Sequence, residues 1–258
     1  LLVACLLLML LERFLIFRPI HAGDWQPSWL TYEEARFCAA DGTRLYGWFL
    51  EHPRPRAVIL YAYGSRGNLS LHALKADTLR RELGVSAMLF DYRGYGLSEG
   101  TPDEAGLLMD ARAARAWLAR RTGVAQRDVV LMGRSLGGAV AVDLAQDGAR
   151  GLILENTFSS LPDVAAARYP WLPVRWCMRA RFDSLHKIGR YAGPLLQSHY
   201  TGDPVVPLEF GRRLFAAAPD RDKVLLAWPG NEHGEYDWPK YRAALRSFLD
   251  RLDSPHSP

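Results

Sequence analysis

Val129-Val130-Leu131-Met132-Gly133-Arg134-Ser135-Leu136-Gly137-Gly138 is an apolar run that enters a glycine-flanked serine, and a helix-compatible stretch, Ala139 to Gln146, follows at once. Strand, sharp turn and helix in that order are the context that a G-x-S-x-G pattern requires. So tight a turn leaves no room for side chains on either side, which accounts for Gly133 and Gly137. The turn lifts the Ser135 hydroxyl above the sheet. The helix that follows supplies unpaired N–H groups and the positive end of a dipole, suited to an oxyanion forming beside a nucleophile.

A serine hydroxyl needs an adjacent base, and the base needs an orienting acid. After such a turn the chain order is Ser, then Asp or Glu, then His. His233 lies in Trp228-Pro229-Gly230-Asn231-Glu232-His233-Gly234, directly after the strand-like run Val224 to Trp228. A histidine on that loop can reach a nucleophile at a neighbouring strand end. His199 competes with it, in the run Pro194 to Tyr200, and is read as a structural loop residue. His186 sits among basic residues, and His256 in a Ser/Pro-rich tail. Asp203, in Thr201-Gly202-Asp203-Pro204-Val205-Val206-Pro207, is the acid, with Glu155 as the alternative.

Ser135, Asp203 and His233, in that order and at strand ends, resemble the triad of the α/β-hydrolase superfamily. Asp91-Tyr92-Arg93-Gly94-Tyr95-Gly96-Leu97-Ser98 resembles its D-x-R-G-x-G-x-S turn, and Leu60 to Asn68 its His-Gly oxyanion loop. The resemblance covers roughly residues 33–252 and is closest to small serine hydrolases with one N-terminal membrane segment, a branch that includes acyl-protein thioesterases and monoacylglycerol-lipase-like enzymes. It implies an oxyanion hole made by the backbone N–H groups of Ser65 and Leu136. Tyr63 stands where the family has histidine, and either closes the site or contacts substrate.

The chain has 258 residues, 49% of them hydrophobic, enough for one large domain with a sizeable core. Strand runs at 57–63, 85–91, 128–134, 151–155, 194–199 and 223–228 alternate with helical stretches at 69–83, 103–121, 136–147, 207–217 and 239–251. The alternation predicts an α/β fold: a mostly parallel central sheet with helices on both faces and a helical lid. Residues 35–51 form an initial hairpin around Asp41-Gly42. In helix 103–121, Leu107, Leu108, Ala111, Ala114 and Leu118 make the apolar stripe, with arginines elsewhere.

The formal charge is +4, carried mostly by arginines scattered along helices. No Lys/Arg block tracks a phosphate backbone, so nucleic acid is not an expected partner; a basic surface suits an anionic leaflet. Cys5, Cys38 and Cys177 have no metal-like spacing and outline no disulfide framework. With no H-E-x-x-H, P-loop or G-x-G-x-x-G motif, neither cofactor nor metal is expected.

Residues 1–11 are continuously apolar, Glu12-Arg13 interrupts, and Phe14 to Phe17 resumes. Eleven residues are too few to cross about 30 Å of hydrocarbon. Residues 1–18 are therefore read as a truncated single-pass membrane anchor, with Trp25 and Trp29 as interface anchors; the tail of a signal peptide and a buried helix are the alternatives. Residues 19–32 follow as a juxtamembrane linker, 33–252 as the hydrolase domain and 253–258 as a tail.

The stretch 157–190 is too long for a simple connection and forms the lid. Its aromatics, from Phe158 to Phe182, either line an acyl pocket or pack the lid down. Its basic residues, from Arg175 to Arg190, face lipid headgroups or water. The expected function is hydrolysis of esters or thioesters of apolar acyl groups, on small-molecule or lipid substrates, by a membrane-tethered serine hydrolase. A peptidase on the same fold and a non-catalytic membrane-bound scaffold are the rivals. Asp163 and Asp183 are the lid carboxylates a peptidase could use for a substrate ammonium.

Overall fold

The computed structural model describes residues 9, 11–21, 27–219, 222–234 and 238–253, with the Trp238 side chain excepted. Eight strands form one sheet: β1 (Glu33–Cys38), β2 (Arg44–Leu50), β3 (Val58–Ala62), β4 (Ser86–Phe90), β5 (Val130–Arg134), β6 (Gly151–Glu155), β7 (Leu195–Tyr200) and β8 (Lys223–Trp228). Their spatial order is β1-β2-β4-β3-β5-β6-β7-β8. The pairings from β4 through β8 are parallel, while β2 pairs antiparallel with both β1 and β4. Helices α1 (Ala73–Leu83), α2 (Glu104–Thr122), α3 (Leu136–Ala145), α7 (Leu208–Ala217) and α8 (Trp238–Asp253) cover both faces. Between β6 and β7 the lid carries α4 (Leu161–Arg168), α5 (Val174–Cys177) and α6 (Ser184–Ile188).

The fold positions a site by its strand order. Successive crossovers run one way from β3 to β4 and the other way from β5 outward. The loops after β3 and β5 therefore diverge and leave a crevice at the carboxyl edge of the sheet. β3, β4, β6 and β7 are buried along their whole length, as parallel strands covered on both faces must be.

Helix α2 departs from a simple amphipathic stripe. Leu107, Ala111, Ala114 and Leu118 are buried as expected, and Leu108 is half-buried, but Asp110 and Arg115 are buried with them. The Arg93 guanidinium donates to Asp110 Oδ1 at 2.7 Å and to Asp41 Oδ2 at 2.8 Å, tying the turn after β4 to α2 and the first hairpin. Arg115 donates to the carbonyls of Leu144 and Gly148 at 3.0 and 3.1 Å, satisfying acceptors at the end of α3.

Residues upstream of 33 also touch the domain. Phe17 is buried in the core and meets Phe182 edge-on at 6.4 Å. Arg18–Pro19 pair in parallel with Arg66–Gly67, and His21 bridges Gly96. Leu30 is buried and Tyr32 stacks on Trp48 at 4.2 Å. Within 19–32 the described residues meet the sheet domain at Pro19, His21, Leu30 and Tyr32. Of the stretch read as an anchor, residues 1–8 and 10 lie outside the described residues, as do Trp25 and the tail from 254; Trp29 is exposed. Among the described residues no helix is long and apolar enough to cross a membrane. Cys38 is a free thiol, whereas Cys177 is disulfide-bonded, a bridge the spacing did not disclose.

Beneath the crevice lies a buried polar knot. Tyr63 stacks on His72 at 4.9 Å and donates its hydroxyl to Asp91 Oδ1 at 2.8 Å, and the Leu69 N–H donates to the same oxygen at 2.7 Å. Burial outweighs these bonds and pushes the Asp91 carboxyl up to about 6. The folded protein thus holds this proton to a higher pH than the unfolded chain, whose carboxyl titrates near 4. The stability it contributes is present below pH 4 and lost as pH rises through about 6. In urea unfolding, the stability of wild type minus that of Asp91→Asn should shrink between pH 4 and pH 7.5. A difference that stays constant or grows contradicts the raised titration.

Candidate active site

Four strand ends deliver the residues singled out in the sequence. Ser135 follows β5, Ser65 lies in the loop after β3, Asp203 in the loop after β7 and His233 in the loop after β8. Because these strands are parallel, all four loops emerge at one edge.

Ser135 has φ 53° and ψ −119°, outside the helical and extended regions. A Cβ on Gly133 would stand 2.2 Å from the Gly137 carbonyl oxygen, and one on Gly137 would stand 2.0 Å from that of Ala62. Only glycine permits this approach of strand, turn and helix. The turn is held from β6. The Ser135 N–H donates to the Glu155 carbonyl at 2.9 Å, and the Thr157 hydroxyl donates to the Ser135 carbonyl at 2.8 Å.

The three residues meet. His233 Nε2 lies 2.9 Å from Ser135 Oγ, and His233 Nδ1 lies 2.6 Å from Asp203 Oδ2. The other Asp203 oxygen accepts the N–H groups of Val205 and Val206, each at 2.8 Å. Asp203 is buried, so these donors replace the water its charge has lost. The Gly202 N–H donates to the Gly230 carbonyl at 2.9 Å, joining the acid's loop to the histidine's loop. The arrangement lets Nε2 accept the serine proton while the carboxylate steadies Nδ1–H. Ser65 and Leu136 line the same cavity as Ser135, and among the described residues neither N–H donates to a protein acceptor.

The competing residues go elsewhere. His199 is on β7 rather than a loop; it is fully buried, and its Nε2 donates to the Val206 carbonyl at 2.8 Å. Burial holds its pKa below the usual histidine value, and it braces the Asp203 loop from behind. Glu155 points into the interior, where it pairs with Lys75 and accepts the Tyr241 hydroxyl at 2.5 Å. Tyr63 neither closes the site nor lines the cavity, since its ring is committed to His72 and Asp91.

One contributor escaped sequence reasoning. Arg134, the variable residue before the serine, donates its guanidinium to the His233 carbonyl. Its position in the motif was visible, but its partner lies 99 residues away.

The cavity above Ser135 encloses about 470 Å³. Leu136, Phe158, Leu161, Val164, Val174, Met178 and Val206 supply apolar walls. Of the lid aromatics, Phe158 and Tyr169 line it, Phe182 packs against Phe17, and Trp171 and Trp176 are 74% and 89% exposed. The lid's basic residues are largely engaged: Arg175 pairs with Asp163, Lys187 with Asp143, and Arg190 donates to Gln146. The lid is fastened by two carboxylates. Glu12 accepts the N–H groups of Arg179 and Ala180 at 2.9 and 2.6 Å, and Glu104 those of Arg181 and Phe182 at 2.6 and 2.9 Å. Among the described residues no cluster of His, Cys, Asp and Glu is arranged to hold a metal ion.

The chain matches no protein-family model. It is 38% identical over 215 residues to the uncharacterized protein Rv2307c of Mycobacterium tuberculosis, covering 81% of this chain and 76% of the relative. It is 32% identical over 224 residues to the alpha/beta hydrolase domain-containing protein WAV2 of Arabidopsis thaliana, covering 79% and 73%. In structure it is similar to the Pyrococcus furiosus esterase Pf2001, with a TM-score of 0.75 and 16% identity over 92% of this chain and 98% of that one. With the sheet order, the turn at Ser135 and a relative of this kind matched over most of its length, the chain belongs to the α/β-hydrolase superfamily.

Proposed function

We propose that this hydrolase is a serine esterase that cleaves carboxylic esters or thioesters of apolar acyl groups through an acyl-enzyme. The observation that carries the reading is the continuous Ser135–His233–Asp203 hydrogen-bonded chain, opening into a cavity walled by aliphatic side chains. Ser135 Oγ attacks the acyl carbon as His233 Nε2 takes its proton, and His233 returns that proton to the departing alcohol or thiol. Asp203 orients the imidazole and stabilises its cation. The N–H groups of Ser65 and Leu136 hold the oxyanion, and water, activated by the same histidine, releases the acid.

The peptidase reading has less support. Asp163 is taken up by Arg175, Arg213 and the Ser159 hydroxyl, and Asp183 caps α6 and contacts His186; neither lines the cavity. A substrate ammonium finds no free carboxylate among the described lining residues, because Glu12 is spent on the lid backbone. The scaffold reading also has less support, since Tyr63, which stands where the family has histidine, is held in the buried knot and leaves the site open.

The enzyme also works at a membrane. Phe14 and Leu15 on the N-terminal segment and Trp171 and Trp176 on the lid are exposed, and residues 1–11 are the candidate tether. Full-length protein should stay with the membrane fraction through carbonate extraction; release into the supernatant rules out an integral tether.

A fluorophosphonate probe should label wild-type protein but not Ser135→Ala. On p-nitrophenyl butyrate, Ser135→Ala and His233→Ala should each lower kcat by about a hundredfold or more, and the double variant should be little worse than either. Labelling that persists in Ser135→Ala would sink the assignment. Arg134 is a positioning residue, so Arg134→Ala should lower kcat roughly tenfold to a hundredfold while KM changes little, with partial recovery in Arg134→Lys. An equal loss in both variants, or one confined to KM, argues against that role.

A further inference from the structure

The cavity mouth carries cations that the proposed reaction does not use. Arg18 and Arg66 are register partners in the short parallel ladder that joins the N-terminal segment to the loop after β3. Register partners project to the same side of a ladder, and like charges placed there repel. The backbone holds the pair regardless: the Arg18 N–H donates to the Ser65 carbonyl and the Ile20 N–H to the Gly67 carbonyl, both at 2.9 Å. Both arginines line the same cavity as Ser135, as does Arg168 on α4. Among the described residues none of the three forms an ion pair, whereas Arg44, Arg56, Arg93, Arg112 and Arg121 all do. The acid on this wall, Glu12, has both oxygens occupied by lid N–H groups. The mouth is therefore a cationic rim over an apolar cavity, with Arg66 adjacent in sequence to the candidate oxyanion donor Ser65.

We propose that Arg18 and Arg66, with Arg168, receive an anionic group on the substrate, so that the preferred ester joins an apolar acyl chain to a phosphate-bearing alcohol. This rests on the serine-esterase reading above. A guanidinium binds phosphate oxygens through paired N–H groups, and two side by side suit a phosphate monoester. The anion offsets the repulsion between the arginines only when substrate is bound, which turns a cost of the free protein into selectivity.

The test compares 1-hexanoylglycerol-3-phosphate with 1-hexanoylglycerol, both monomeric in solution, by release of hexanoate. One charge-assisted contact of about 1.5–3 kcal/mol corresponds to roughly tenfold or more. Wild-type kcat/KM should therefore favour the phosphorylated ester by at least about tenfold, mainly through KM. In Arg18→Gln/Arg66→Gln the ratio should approach one, and inorganic phosphate should compete with the phosphorylated ester in wild type but only weakly in the double variant. Equal kcat/KM for the two esters in wild type overturns the proposal and needs no variant. So does a preference that survives the double substitution. A preference that appears only on vesicles containing anionic lipid assigns the rim to the bilayer surface and also overturns it. Hydrolysis of neither ester, with p-nitrophenyl butyrate also untouched, removes the esterase reading itself. Hydrolysis of both at equal rates removes the anion receptor alone.

Discussion

At Ser135 the backbone takes φ 53° and ψ −119°, which an L-residue adopts only when its surroundings enforce it. Here three hydrogen bonds enforce it: from the Ser135 N–H to Glu155, and from the Thr157 hydroxyl and the Gly138 N–H to the Ser135 carbonyl. The enforcement has its own support. Glu155 is buried and paired with Lys75 and Tyr241, so the strand end that braces the turn is pinned from the opposite side. The strain is thus distributed into the core, and the serine hydroxyl is fixed before any substrate arrives. On the proposed esterase reading, a serine fixed in this way avoids a reorganisation cost during reaction.

The histidine and aspartate reach that fixed point from longer loops, and each loop is tied down near its functional atom. The acid is held by two N–H groups of its own loop, and that loop by His199 beneath it. The histidine's loop is held by Arg134, which belongs to the serine's own motif, and by the link between Gly202 and Gly230. Ser135 and His233 therefore share a brace, so a disturbance at Arg134 reaches both.

The lid shows a similar economy. Four consecutive backbone N–H groups, of residues 179–182, are taken by Glu12 and Glu104, which come from the N-terminal segment and from the start of α2. Phe182 adopts φ 38° within this clamp, and its ring rests on Phe17. The cavity below is consequently bounded by two segments far apart in the chain, and the cationic rim exists only because the N-terminal segment lies against the loop after β3.

Much of this was legible in residue order. Six strand runs, five helical stretches and the first hairpin were recognisable because their signals are local: period, capping and turn chemistry act over a few residues. The serine motif was legible for the same reason, and Asp203 and His233 because each follows an apolar run on a Gly-containing loop. The remaining features depend on partners that no local pattern encodes. Arg115 and Asp110 are charged residues in α2, yet both are buried, because acceptors at the end of α3 and the Arg93 guanidinium compensate them. Glu12 reads as an interruption in a hydrophobic run and proves to be a clamp on a lid 167 residues away. Tyr63 reads as a residue that closes the site or contacts substrate and belongs instead to the knot around Asp91. In each case a polar group's destination depends on which partner the folded chain brings within hydrogen-bond reach, and that is a property of three-dimensional packing rather than of neighbouring sequence.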